Sequence, residues 1–294
     1  MTGAARATTL AVVRCGDASL HHSWSGEGRR FDIGISYYGD DADKAFPEAR
    51  FVHRGKGGKW DGLFGFFAQF PEALEQYEAF WFPDDDIEAD VESINRLIDI
   101  RAAHGLEVCQ PSLDDHSYYS HLITLRHPSF ALRHTNFVEI MVPLVSQAIV
   151  RQSLPMIEST RSGFGMDFVW PKMAAQISGD AGGRSAIIDS ISVRHTRPVG
   201  GNLHKMMQKV GGRSVLDEMS SALEGLEGTR SASINGVATP RIRILEGVDE
   251  SGKHLRGLNL AALVAADLLA PNANKVQPIR RMAAIRHALK TIAG

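Results

Sequence analysis

The sequence predicts an α/β fold, a layered sheet flanked by helices, followed by a mainly helical C-terminal extension. Across the first two-thirds, short apolar runs alternate with longer stretches of helical spacing, the pattern of strands and covering helices. The aromatic run Phe80-Trp81-Phe82 stops abruptly at Pro83 and three adjacent aspartates, Asp84, Asp85 and Asp86, so a buried strand ends on a polar edge. From about Gly200 the texture changes, as glycines and serines break up the helical segments.

Taken in order, residues 9–14 read as a buried strand and residues 31–38 as a second, closed by Gly39, Asp40 and Asp41. Residues 51–52 make a brief third. A helix is expected over 60–70, stopped by Pro71, and a shorter one over 72–77 leads into the strand 80–82. Asp90 stands as N-cap of a helix whose Val91, Ile94, Leu97 and Ile98 share a face, with Gly105 as its C′ residue. Residues 106–110 form the next strand, ended by Pro111. Further strands are expected at 118–126, 136–142 and 185–193, helices at 145–152 and 168–176, and a turn at 163–165. Gly211, Gly212, Gly225, Gly228 and residues 231–233 punctuate the C-terminal third, and residues 241–245 read as an edge strand. The final segment sets Ile279, Met282, Ile285, Leu289 and Ile292 on one face and Arg280, Arg281, Arg286 and Lys290 largely elsewhere. Such an amphipathic basic helix is expected to dock on the domain. An anionic membrane surface or a second subunit, as in a homo-oligomer, is the other reading of residues 278–293.

Bulk properties narrow the function. With 294 residues, 44% hydrophobic and 22% charged, the chain is that of an ordinary globular protein. A net charge of −2 argues against nucleic-acid binding as the main task, which needs clustered Lys and Arg. Cys15 and Cys109 alone make no disulfide framework, and a reducing cytoplasm is the expected setting. The first residues lack the features of a secretory signal, and no apolar run approaches the ~18 residues of a membrane span.

Four segments carry the chemistry. Asp84 and Asp86, two apart at a strand's end, are placed to point at one ligand, for which a hard divalent cation is the natural partner. The competing reading is that Asp86 or Asp90 merely caps the next helix, but three carboxylates in a row exceed what a cap needs. In Arg161-Ser162-Gly163-Phe164-Gly165-Met166-Asp167, a turned loop delivers a carboxylate to a helix start. There Asp167 has the chemistry of a general base, although a helix N-terminal aspartate is by itself the plainer account. His195 lies just beyond a buried strand, flanked by Arg194 and Arg197; imidazole suits a metal and arginine suits phosphate, while a lone histidine there is more often simply exposed. The loop 54–59 has glycine and lysine content but lacks the phosphate-loop spacing, with Trp60 where a hydroxyl is required, leaving Lys56 or Lys59 as phosphate contacts.

In order, residues 80–87 (FWFPDDDI), 106–114 (LEVCQPSLD), 137–146 (FVEIMVPLVS), 162–168 (SGFGMDF) and 188–198 (IDSISVRHTRP) resemble a bacterial and plant family long classed as a domain of unknown function and related to GT-A type glycosyltransferases. The likeness runs from about residue 6 to residue 201. It implies a GT-A-like mixed sheet over residues 1–200, with residues 201–294 as an extension without a counterpart. It further implies an Asp-x-Asp motif holding Mn²⁺ or Mg²⁺ against a nucleotide-sugar donor. On that pattern Asp84 and Asp86 are metal-side, with Asp84 and Asp85 towards the donor, and His195 completes the metal shell. Lys59 and Arg197 serve the donor, Glu139 and Phe164 the acceptor, and Asp167 is the catalytic base. The expected activity is sugar transfer to a saccharide or lipid-linked acceptor in cell-surface polysaccharide synthesis, in the cytoplasm or at the inner face of the membrane. Nucleotidyl or phosphoryl transfer, and carbohydrate binding without turnover, are the other readings.

Overall fold

The computed structural model describes residues 7–179, 184–199, 214–224, 226 and 232–292. Its centre is an eleven-stranded mixed sheet with helices packed against it. Strands β1 (Thr9–Cys15), β2 (Asp32–Tyr37) and β3 (Phe51–Arg54) run parallel, and β4 (Ala79–Trp81) lies parallel on the other side of β1. Every residue of β1 and β4 is buried, which is why they read as unbroken apolar runs. The order β3-β2-β1-β4 reverses across β1, and such a reversal opens a crevice beyond the carboxyl ends of the strands.

Past β4 the sheet becomes mixed. β8 (Leu144–Ser146) lies antiparallel between β4 and β6 (Val108–Leu113), and β6 is parallel to the long β9 (Ser185–His195). β7 (Leu132–Thr135), β12 (Ile244–Val248) and β13 (His254–Leu255) complete that edge, all antiparallel to their neighbours. The short β5 (Ile87–Glu88) pairs with the far end of β9, setting Ile87 opposite His195. A separate hairpin, β10 (Ala232–Ile234) and β11 (Val237–Thr239), turns on Asn235 and Gly236, both at positive φ.

The helices are α1 (Lys59–Gln69), α2 (Pro71–Gln76), α3 (Val91–Ala103), α4 (Gln147–Ser159), α5 (Met166–Ser178), α6 (Val215–Ala222), α7 (Gly257–Leu269) and α8 (Arg281–Ile292). Asp90 caps α3, accepting the Ser93 N–H at 2.7 Å. Rings of Phe66, Phe67, Phe80, Phe82 and Trp170 meet edge-on or stacked beneath the cleft, and each fully buried ring contributes about 1.5–3 kcal/mol. On β7 and β9, Arg133 and Asp189, both fully buried, form a bidentate pair at 2.7 and 2.9 Å. Arg133 also donates to the carbonyls of Ile123 and Leu125, so the pair is fully bonded and fixes the adjacent loop. Among the described residues no helix is long and apolar enough to cross a membrane.

Several expectations are corrected. β6 continues through Pro111 to Leu113, with a register shift at Pro111/Ser112 that absorbs the missing donor. Residues 118–126 hold a 3-10 turn, Leu122–Thr124, and a single bridge from Leu125 to Leu113 in place of a strand. Residues 136–142 are no strand, although apolar and buried; their backbone groups divide between side chains of the cleft and scattered backbone partners at Asp84, Asp167 and Arg243, and β7 lies upstream. The helix expected at 145–152 runs on to Ser159 with Pro155 inside it. The strand expected at 241–245 is shifted to Ile244–Val248 and sits between β7 and β13 rather than at the edge. The face expected to dock α8 is also wrong: Ala284, Ala288 and Thr291 are buried, while Met282 and Leu289 are exposed. Expectations at residues 200, 201, 211, 212, 225, 228 and 231 lie outside the described residues.

Candidate metal centre and adjoining cleft

The buried β4 carries the aspartates to the crevice. Beyond its end the Phe82 N–H donates to Pro143 O and the Asp84 N–H to Met141 O, each at 2.8 Å, before a tight turn returns the chain into β5. The three carboxylates then diverge. Asp84 Oδ1 accepts from Lys59 Nζ at 2.6 Å. Asp85 faces the other way, accepting from the Gly16 N–H at 3.2 Å, the Tyr38 hydroxyl at 3.3 Å and Arg197 at 3.0 Å. Asp86, buried, stands with Oδ2 3.2 Å from Nε2 of His195.

The imidazole of His195 has a defined tautomer. Its Nδ1 lies 2.9 Å from the Tyr118 carbonyl, which only accepts, so Nδ1 carries hydrogen. In the neutral ring Nε2 would then aim a lone pair at a carboxylate oxygen, and that arrangement calls for a cation between them. A proton is one answer: burial opposes the imidazolium, but the hydrogen bond and charge of Asp86 outweigh it and raise the His195 pKa. A metal ion is the other. One ligand atom from each of Asp84, Asp86 and His195 falls within 4.8 Å of the others. Two carboxylates and a backbone-anchored imidazole are a chemically suitable set for a divalent cation, and the Tyr118 carbonyl is the outer partner such a histidine needs. Two further compact sets exist among the described residues, His21–His22–Glu48 and Asp114–Asp115–His116. Each is already closed by its own short contacts.

Asp84 also belongs to a cavity of about 530 Å³, whose wall includes Lys59, Trp60, Glu139, Phe164 and Asp167. The irregular segment 136–142 forms one side. Its Glu139 N–H donates to Gln110 Oε1 at 2.6 Å, its Ile140 N–H donates to Asp167 Oδ1 at 2.8 Å, and its Ile140 carbonyl accepts from Lys59 at 2.7 Å. Asp167 sits in the first turn of α5, behind Gly165 at φ 98°. Burial pushes its carboxyl up to about 7 against the pull of backbone donors and Lys59. Burial and the neighbouring charge of Asp167 push Glu139 up to about 8, and Glu139 Oε2 is buried with no hydrogen-bond partner. A buried orphan oxygen inside a cavity is a place where a ligand hydroxyl would be bound.

The sequence-derived candidates thus fall into three groups. Asp84, Asp86 and His195 meet; Lys59, Glu139, Phe164 and Asp167 share the cavity with Asp84; Asp85 and Arg197 pair at the crevice rim. Lys59 has a different immediate task from phosphate contact, because its three ammonium protons are taken up by Asp84, Phe82 O and Ile140 O. Lys56 is turned to Asp40 and the carbonyls of Tyr38 and Gly39. Sequence reasoning missed Gln110, Ser120, His121 and Asn235, which carry no spacing signal, although the Asn235-Gly236 pair is a hairpin signature. It also missed Glu218 on α6, whose carboxylate gathers the loop 160–162.

No protein-family profile matches this sequence, and no curated protein matches it. Among solved structures it is similar to S. aureus TarS 1-349, at 10% identity and TM-score 0.43, over 63% of this chain and 59% of that one. The same protein in complex with UDP-GlcNAc matches at 9% identity and TM-score 0.43, over 73% and 64%. A197 from STIV matches at 12% identity and TM-score 0.34, over 64% and 84%. The match spans less than two-thirds of the length of these TarS structures. Likenesses this distant decide nothing about chemistry, which rests on the residues above.

Proposed function

We propose that the chain is a metal-dependent glycosyltransferase of the GT-A type, moving a sugar from a nucleotide-sugar donor to a saccharide or lipid-linked acceptor hydroxyl. The observation that carries this reading is the double membership of Asp84: it stands in the compact Asp84–Asp86–His195 set and in the wall of the cavity that holds Asp167 and Glu139. The five motif segments and the parallel β3-β2-β1-β4 half with its crevice support the same reading.

In this reading Asp84, Asp86 and His195 hold Mn²⁺ or Mg²⁺, which supplies Lewis-acid stabilisation of the departing diphosphate. An imidazole among oxygens favours Mn²⁺. Lys59 orients Asp84 rather than gripping phosphate. Asp85 fixes Arg197 and the Gly16 backbone at the crevice, where Arg197 serves the donor. Asp167, with its pKa near 7, takes the proton of the acceptor hydroxyl, and neutral Glu139 donates a hydrogen bond to the acceptor beside Phe164. Residues 1–200 carry both the donor and the acceptor side in this reading, and residues 201–294 are an extension whose β12 and β13 join the same sheet. The setting we infer is cytoplasmic, in polysaccharide synthesis.

A thermal-shift screen of nucleoside diphosphates and nucleotide sugars, with and without Mn²⁺, tests this. A ligand at ~100 times its dissociation constant adds about 2.7 kcal/mol of stability. A Mn²⁺-dependent shift with one nucleotide diphosphate and its sugar is the expected result; a shift only with nucleoside triphosphates, and their consumption, would replace it with nucleotidyl or phosphoryl transfer. Sugar binding without any metal dependence would replace it with a non-catalytic carbohydrate-binding protein.

A further inference from the structure

The α7–α8 hairpin shows an apolar and basic surface that the other described residues leave exposed. Of the seven exposed large apolar side chains among the described residues, four lie on it: Leu258, Leu269, Met282 and Leu289. Leu258 is 83% exposed and Met282 67%. The helix α8 docks through its small residues, Ala284 and Ala288, which let it lie close against the protein and turn its larger side chains outward. Met282, Arg286 and Leu289, at i, i+4 and i+7, share one exposed face, with Lys290 at its flank.

Charge is segregated in the same place. Residues 268–294 hold five basic side chains, Lys275, Arg280, Arg281, Arg286 and Lys290, and no carboxylate side chain, in a chain whose net charge is −2. Lys275 is already paired with Asp115 at 2.6 Å, and Asp267 on α7 turns inward and accepts from the Ser129 hydroxyl and backbone N–H. Arg281, Arg286 and Lys290 remain solvent-accessible.

We propose that the α7–α8 hairpin docks on an anionic lipid bilayer. Exposed Leu and Met side chains enter the headgroup region while the arginines and lysine meet lipid phosphates, the recognised chemistry of an interfacial helix. A protein partner with an acidic groove would need fewer exposed apolar groups spread over two helices, and a second copy would bring Arg280, Arg281, Arg286 and Lys290 against their own like charges.

The connection between the two helices is bonded to the cleft. Asn274 donates to Ser117 O at 2.9 Å, and Gln277 accepts from the Tyr119 N–H at 2.8 Å. Between those contacts and the cavity lie Tyr118, whose carbonyl anchors His195, and Ser120 and His121 of the cavity wall. Docking would therefore hold the cleft beside the bilayer, which fits a lipid-linked acceptor; that last step rests on the proposed glycosyl transfer, whereas the docking does not.

The test is co-sedimentation of the full chain with vesicles of phosphatidylcholine alone and of phosphatidylcholine with phosphatidylglycerol, at low and high salt. The expected result is binding to the anionic vesicles that salt weakens. Reversing Arg281, Arg286 and Lys290 to Glu weakens it by at least about five-fold per residue, roughly a hundred-fold in all. The double variant Met282→Ser, Leu289→Ser weakens it at unchanged charge. Met282, Arg286, Leu289 and Lys290 point away from the docked face and Arg281 is exposed in the first turn of α8, so the variants fold, and circular dichroism checks that they do. Absence of binding, equal binding to neutral vesicles, or binding indifferent to both variants overturns the proposal. So does a concentration-dependent dimer broken by Leu289→Ser without vesicle binding, which would assign the face to a second copy. Vesicle binding needs no donor, so it can fail while the nucleotide-sugar shift succeeds, and the reverse.

Discussion

Nε2 of His195 lies 3.2 Å from Oδ2 of Asp86 while its Nδ1 is committed to the Tyr118 carbonyl. The pairing joins the end of β9 to the turn after β4, two places far apart in sequence, and β5 enforces it by pairing Ile87 with His195. The ring is held at both nitrogens, so its orientation is set before any cation arrives. Asp86→Asn and His195→Ala are expected to abolish Mn²⁺-dependent stabilisation, each with a loss of metal affinity of at least about ten-fold. Calorimetric titration with Mn²⁺ checks this, and a variant that binds Mn²⁺ as tightly as the parent would remove the metal-site assignment.

Glu139 gives a pH signature. Its pKa in the fold is about 8, above that of an unfolded carboxyl, because burial and Asp167 oppose its charge. The native state therefore holds this proton more strongly than the unfolded chain. The stability it contributes is complete below the ordinary carboxyl pKa and is lost as pH rises through about 8. Metal-free protein is expected to lose stability between about pH 5 and about pH 8.5, and Glu139→Gln to lose less. Denaturant unfolding at the two pH values decides it; parallel losses would mean that Glu139 ionises freely in the fold.

Much of this was legible in the sequence where chemistry and chain neighbourhood coincide. The aspartates after Phe80-Trp81-Phe82 mark a strand end by themselves, and Asp90 signals its helix by its place before Val91. Residues 136–142 misled because apolar character reports burial, not pairing. Their N–H and C=O groups bond to the side chains of Gln110, Asp167 and Lys59 and to isolated backbone groups of Asp84, Asp167 and Arg243, all scattered along the chain, and no local pattern encodes that. The α8 face misled for a related reason. Its alanines can approach a neighbour more closely than Met282 or Leu289, and close approach decided the docking face. His195 was readable only as a residue beyond a strand; its partner Asp86 was readable only as one of three aspartates. Their meeting depends on the two-residue β5.

In the proposed transfer Asp167 is the residue that moves a proton, with burial pushing its carboxyl up to about 7 within the cavity. Asp167→Asn preserves the acceptor oxygen for the Ile140 N–H but removes the base. Transfer is expected to fall by about 10²–10⁴-fold with metal and nucleotide binding intact. In the parent, the rate is expected to rise with pH through about 7 as the carboxylate forms. A variant retaining near-parental turnover would exclude general-base catalysis at this position.

Glu218 tests whether the second part of the chain serves the cleft. From α6 its Oε2 accepts the Ser162 hydroxyl at 2.6 Å, the Ser162 N–H at 2.9 Å and the Thr160 hydroxyl at 3.0 Å, and the Arg161 N–H also points to it. These bonds gather the loop just before Gly163, where the backbone passes so close to Trp60 that an added Cβ would stand 1.9 Å from the indole nitrogen. Phe164 and Asp167 come directly after it. Glu218→Ala leaves several donors of a buried loop without their acceptor, at a cost of about 1–3 kcal/mol. Glu218→Gln is nearly as disruptive locally, because its amide sets a donor against donors, whereas Glu218→Asp restores the acceptor on a shorter arm. Hydrogen exchange at the amides of Arg161 and Ser162 is expected to quicken in the Ala and Gln variants and to recover in part in the Asp variant. Turnover is expected to fall with it while Mn²⁺ affinity holds, since none of these bonds to Glu218 involves Asp86 or His195. Exchange unchanged in Glu218→Ala would show that the loop keeps its shape without α6, and would return residues 214–222 to a merely structural role.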